Sequence, residues 1–227
     1  IAPSKCADMV LISDLEKCTV TDVFIDGELV AQNGKALFEK KNYSYPEEYR
    51  HSVHLNEVDE SAFKIAAEGT VKVHVIDVIS AKTSTKDVIA ELTAKNGELT
   101  ADGERDILKA CVFERHHGTG KVGKGFIKGF GIKEGALAQT VAHDAHNLLV
   151  VGSNDSDMAL AVNTLIKCGG GLVAVKNGKI LGLVELPIAG LMNDVSVEEM
   201  NKKVCRLEDA WKELGCNLPS PFMTMSI

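Results

Sequence analysis

LLVVGSNDSDMALAVNTLIKCGGGLVAVKNGKILGLVEL, residues 148–186, carries a strand, a helix and a hairpin in succession. Leu148 to Gly152 is a short apolar run of strand length. Asn154, Asp155 and Ser156 supply helix-capping side chains, and Met158, Ala159, Val162, Leu165 and Ile166 then recur at helical spacing until Gly169-Gly170-Gly171 stops the helix. Leu172 to Val175 and Ile180 to Leu186 flank Asn177-Gly178, a pair suited to the two left-handed positions of a type I′ turn. Downstream, Ser196 with Glu199 three residues later is a capping box; it opens an amphipathic helix running through Leu214 and ending at Gly215. The C-terminal half therefore reads as α+β.

Working toward the N-terminus, strands are expected at Ala136 to Ala142, Ile107 to Phe113, Lys86 to Ala94 and Thr70 to Ile79. In the last of these Val71, Val73 and Val75 face one way. Asn96-Gly97 marks a turn and Ser61 to Ala67 a short helix. Turns rather than helices join these strands, which favours antiparallel pairing. The first forty residues hold strands at Asp8 to Ser13, Thr19 to Asp26 and Leu29 to Gln32, with turns at Gly27-Glu28 and Asn33-Gly34. So small a hairpin module cannot bury a core alone and must lean on something else. Lys40 to Glu48 reads as a linker. The expected fold is α+β: mainly antiparallel sheets flanked by helices, preceded by a small all-β segment, with domains at residues 1–45 and 46–227.

Composition narrows the function. The chain has 227 residues, 45% of them hydrophobic and 25% charged, as in an ordinary globular protein. Its 25 Lys+Arg against 32 Asp+Glu give a net charge of −7, so nucleic acid is not an expected partner. The longest apolar runs, such as Leu148 to Val151, are too short to span a membrane. Six cysteines without a Cys-x-x-Cys pair read as reduced core thiols of a cytoplasmic protein. The chain opens on Ile1 rather than Met and lacks a signal peptide, which leads us to expect a piece of a longer polypeptide.

Seven of the 20 glycines fall within the 18 residues from Gly118 to Gly135. Gly118 to Gly123 matches G-x-G-x-x-G, and Gly118 to Lys124 matches most of a phosphate loop. Gly125 stands where the phosphate loop needs Ser or Thr, and no helix follows, so the stretch is expected to be a long flexible loop. Directly before it, Glu114-Arg115-His116-His117 ends a strand; Arg115 and His116 are donors for a ligand or members of a structural ion pair. His143-Asp144-Ala145-His146-Asn147 sets four polar groups between two apolar strands. Such a cluster is a satisfied turn network, faces an active site, or contributes to a metal site, for which it falls short of four ligands. His51 and His54 are expected at the surface.

Glu114 to Ile132 together with Thr140-Val-Ala-His-Asp-Ala-His-Asn147 resembles the C-terminal domain of bacterial and archaeal adenine deaminases. Gly169 to Leu172, Leu186-Pro-Ile-Ala-Gly-Leu-Met192 and Pro221-Phe-Met-Thr224 extend the resemblance, while Ile1 to Leu11 with Val23 to Gly27 looks like the segment following the metal-binding barrel of amidohydrolases. The resemblance implies hydrolytic deamination of adenine to hypoxanthine and ammonia by a metal-activated hydroxide. The divalent metal (Mn, Fe or Zn) is then held by a barrel this chain lacks. No catalytic residue or metal ligand is expected here, and the chain alone is expected to be inactive. Arg115, His116, Gly120, Gly123, His143, Asp144, His146 and Asn147 are the residues expected to face the substrate site. The partners implied are the barrel of the same polypeptide, adenine, and further copies in a homo-oligomer. The alternative is a dimerisation or docking domain without ligand contact. His117 and Ala145 depart from the commoner wording of the family.

Overall fold

A computed structural model describes residues 2–39 and 43–226. Ile1, Lys40, Lys41, Asn42 and Ile227 lie outside it, and with them part of the expected linker. The chain divides into two compact units, residues 1–44 and 45–227.

The smaller unit is an antiparallel meander of β1 (Met9–Asp14), β2 (Thr19–Ile25), β3 (Glu28–Gln32) and β4 (Lys35–Ala36). The turn into β3 is Asp26-Gly27, one residue earlier than expected, with φ of 50° and 82°. Asp tolerates the left-handed region, so Asp-Gly takes both special positions and Glu28 is free to pair with Ile25. Among its described residues none is buried, and β1 exposes the consecutive residues Val10, Leu11 and Ile12, hence both faces of the pleat. The meander has no core of its own.

The larger unit is built on an eight-stranded sheet: β5 (Thr70–Val78), β6 (Thr85–Thr93), β7 (Ile107–Phe113), β8 (Val122–Lys128), β9 (Ala136–Gln139), β10 (Leu148–Gly152), β11 (Gly171–Lys176) and β12 (Lys179–Glu185), in the order β12-β11-β9-β10-β7-β8-β5-β6. Every neighbouring pair is antiparallel except β5 with β8. Helix α1 (Asp155–Cys168) covers one face, where Met158, Val162 and Leu165 pack on Cys111, Phe113 and Val150. Helices α2 (Val197–Glu213) and α3 (Pro221–Met225) cover part of the other, where Trp211, Leu214 and Phe222 pack on Leu137, Val151 and Val184. The α+β architecture is as expected.

Several local expectations are corrected. The stretch from Gly118 to Gly135 is not one loop, because β8 runs through it in register with β7, from Phe113↔Val122 to Ile107↔Lys128. Ladder bonds to β7, and to β5 at Phe126–Lys128, outweigh the weak strand preference of Gly123 and Gly125. Ser61 to Ala67 forms only a 3₁₀ turn at Glu60–Phe63. Asp59 Oδ1 accepts from Ser61 N at 2.8 Å and starts the turn, while Lys64 is already extended. Of the six free cysteines, Cys6, Cys18 and Cys205 are exposed rather than in the core. Cys111 and Cys216 are buried, and burial pushes the Cys111 thiol up to about 11. Among the described residues no helix is long and apolar enough to cross a membrane.

Candidate functional site

Register places the polar clusters side by side. Leu148 pairs with Phe113, so Asn147 and Glu114-Arg115 emerge at the same end of the sheet. Arg115 N donates to Asn147 Oδ1 at 3.3 Å. The Arg115 side chain then turns inward and is 1% exposed. Its Nε donates to the carbonyl of His146, Nη1 to the carbonyl of Ser52 at 2.9 Å and its Oγ at 3.1 Å, and Nη2 to the carbonyl of Ala189 at 3.0 Å. Three segments distant in sequence are thereby held by one planar guanidinium. Burial among neutral oxygens pushes its pKa down.

The two histidines beside it are oriented by carbonyls. His146 Nδ1 lies 2.6 Å from the carbonyl of Val141, and His116 Nε2 lies 2.7 Å from that of Ala145. A carbonyl only accepts, so each of these nitrogens carries a proton, and in the neutral rings His146 Nε2 and His116 Nδ1 are left as acceptors. His143 and Asp144 are exposed on the same turn. The turn thus offers imidazole acceptors and a carboxylate on a backbone fixed from below.

Glu114 explains the loop that follows. Oε1 accepts from His116 N at 2.7 Å and His117 N at 2.9 Å, and Oε2 from Thr119 N at 3.2 Å and Thr119 Oγ1 at 2.8 Å. This internal carboxylate takes the backbone N–H groups of His116 and His117 before the glycine-rich stretch and that of Thr119 within it. Desolvation pushes the Glu114 pKa up, but the donated bonds from His117, Thr119 and His116 outweigh it and hold it at about 2, against an ordinary 4.5. The folded loop therefore binds fewer protons than the unfolded chain once the pH is below that ordinary value. Its stabilisation is present above pH 4.5 and is lost as the pH falls toward 2. Protection of the His116, His117 and Thr119 amides, measured against their intrinsic exchange rates at each pH, should fall through that window, and Glu114→Gln should remove the acid-induced step.

The structure gathers Arg115, His116, His143, Asp144, His146 and Asn147 at one end of the sheet. Gly120 sits at the loop tip and lines a cleft of about 490 Å³ with His54, Phe113 and Lys124. Gly123 lies away from the cluster, within β8 opposite Val112, on the floor of an apolar groove of about 350 Å³ with Ile76, Leu149 and Met225. His51 and His54 are exposed, as expected. Sequence reasoning missed Ser52, Thr140 and the Ala189-Gly190 turn as parts of this framework. The available signal for the last was Ala-Gly two residues after Pro187, a turn-forming combination. Among the described residues no three His, Cys, Asp or Glu side chains are grouped to hold a metal ion. The divalent metal implied by the resemblance therefore does not fit the residues present.

Residues 82–227 match the family model described as the adenine deaminase C-terminal domain. The chain belongs to that family. Curated relatives named adenine deaminase include those of Clostridium botulinum (strain 657 / Type Ba4), 54% identical over 230 residues, Moorella thermoacetica, 47% over 231, and Bacillus pumilus, 41% over 227. Each match covers 100% of this chain but only 38%, 39% and 39% of the respective relative. The chain thus spans less than two-fifths of the length of those relatives, and of the framework around Arg115 only Ser52 lies before residues 82–227, the part matched by the family model.

Proposed function

We propose that this chain is the C-terminal part of an adenine deaminase, a hydrolase turning adenine and water into hypoxanthine and ammonia, and that its polar rim shapes or covers the substrate site. The observation that carries this reading is the full-length match of the chain to proteins named adenine deaminase. The rim adds a physical reason: His116, His143 and Asp144 are exposed on a rigid base, and strand packing does not require them there. In this reading the divalent metal and its ligands belong to a barrel outside this chain. The residues here orient a ring bearing N–H groups through His146 Nε2 and His116 Nδ1 and help to keep water out.

Adenine deamination should be measured for this chain and for the longer polypeptide that includes the upstream part. Activity is expected only in the latter. In it, His143→Ala and His146→Asn should each lower kcat/KM about tenfold or more with Tm retained. Asn is chosen at 146 because its backbone there has φ 49°, which Asn tolerates better than Ala. Wild-type kcat/KM in both variants would overturn the role given to the rim.

A further inference from the structure

We infer that Arg115 is a positioning residue that locks two strained turns, residues 141–147 and 188–192, into one surface, and that Met192 on the second turn belongs to the same site as His143 and His146. The inference rests on the reading above for the identity of the site, but its geometry stands independently. Among the described residues of the larger unit, Ala81, His146 and Ala189 are the left-handed residues that are neither glycine, asparagine nor aspartate. Two of these three, His146 at φ 49° and Ala189 at φ 57°, give their carbonyls to the same guanidinium. Such conformations persist only where their surroundings over-determine them.

The surroundings do so on both sides. His146 N donates to the Ala142 carbonyl at 2.7 Å and its ring to that of Val141. Ala189 N donates to the Tyr49 carbonyl at 2.6 Å, and the Gly190 carbonyl accepts from Thr140 Oγ1 at 2.6 Å. Gly190 has φ 71°, and a Cβ there would lie 2.9 Å from Arg115 Nη1, so the second turn closes directly over the guanidinium. Strand and helix packing does not require the two turns to share a partner, because Ile188 and Met192 already close their own turn through mutual backbone bonds. Arg115 couples them. Met192, which closes the same turn as Ala189 and Gly190, is 50% exposed and brings an apolar, polarizable side chain to that turn. A flat heteroaromatic ring with N–H groups needs apolar contact as well as hydrogen-bond acceptors.

Two measurements test this. In this chain, Arg115→Lys replaces a three-way fork with a point charge. Hydrogen exchange should then accelerate about tenfold or more at amides in both turns together while α1 stays protected. Ser52→Ala, which keeps the Ser52 carbonyl and removes only the hydroxyl bond, should produce a smaller acceleration shared by both turns. Acceleration in only one turn, or loss of protection throughout the unit, would overturn the coupling. In the longer polypeptide Met192→Ala should raise KM for adenine about fivefold with Tm unchanged. A wild-type KM at unchanged Tm would remove Met192 from the site. A wild-type polypeptide that does not deaminate adenine would instead refute the proposed function, leaving the exchange result as the test of Arg115.

Discussion

Gly171→Ala is expected to destabilise the larger unit by on the order of 4 kcal/mol, enough to lower Tm by about 10 °C or prevent folding. Gly171 opens β11 with φ 146°, and a Cβ built there lies 2.2 Å from the Val184 carbonyl oxygen and 3.2 Å from Glu185 Cα. Those atoms are backbone of the adjacent strand, so no side-chain rotation relieves the overlap. Nor can the strand retreat. Gly171 N donates to Thr140 Oγ1 at 2.8 Å, its carbonyl accepts from Thr140 N at 3.0 Å, and it pairs with Glu185 on the other side. Gly178→Ala is the control: Gly178 has φ 72° but open space around a Cβ, so only the backbone strain of about 1 kcal/mol is lost. Urea unfolding followed by circular dichroism compares the two, and equal midpoints would refute the steric argument.

Elements specified by local chemistry were legible in the sequence. Asn154 Oδ1 accepts from Asp157 N at 2.8 Å, Gly169 ends α1 at φ 78°, Ser196 Oγ accepts from Glu199 N at 3.2 Å, and Asn177-Gly178 turns at φ 51° and 72°. Each is a contact within a few residues, which is why the helix bounds and the hairpin follow from residue type and spacing. The misses are non-local. Helix α3 is only five residues long and is held by partners far upstream, with Gln139 Nε2 donating to the Phe222 carbonyl at 2.7 Å and Ser226 Oγ at 2.9 Å. Strand β8 is glycine-poor enough to pair but glycine-rich enough to read as a loop, and its parallel match to β5 has no local signature. At the candidate site, residue types identified the cluster but not the direction of its side chains. Nothing around Arg115 in sequence shows that the carbonyls of Ser52 and Ala189 meet its guanidinium, and nothing around Glu114 shows that its carboxylate consumes the loop amides. Those assignments depend on segments more than sixty residues apart in one case and on backbone direction in the other.

The second large effect is expected at the other end of β7. Lys109 is 2% exposed, and its Nζ donates to both Asp155 oxygens at 2.8 Å and to the Phe63 carbonyl at 3.1 Å. Asp155→Ala leaves a buried ammonium with a single carbonyl, and should cost about 3–5 kcal/mol, because the desolvation of the charge is then uncompensated. Lys109→Met is expected to cost less, about 1–2 kcal/mol: the Asp155 side chain is 19% exposed at the first residue of α1, where water and the positive helix end both stabilise a carboxylate. With both replaced, no orphaned charge remains in the apolar layer around Phe63. The double variant should therefore be more stable than Asp155→Ala alone, with a coupling well beyond the about 0.5 kcal/mol expected of independent sites. A urea-unfolding cycle at neutral pH measures it, and additive losses would show that the pair contributes no more than two separate contacts. The asymmetry also bears on the site. Asp155 fixes the start of α1 against the strand that delivers Glu114 and Arg115, so Lys109→Met, which keeps the buried volume, is expected to leave exchange in the 141–147 turn unchanged. Asp155→Ala, which forces the strand or the lysine to move toward water, is expected to accelerate it.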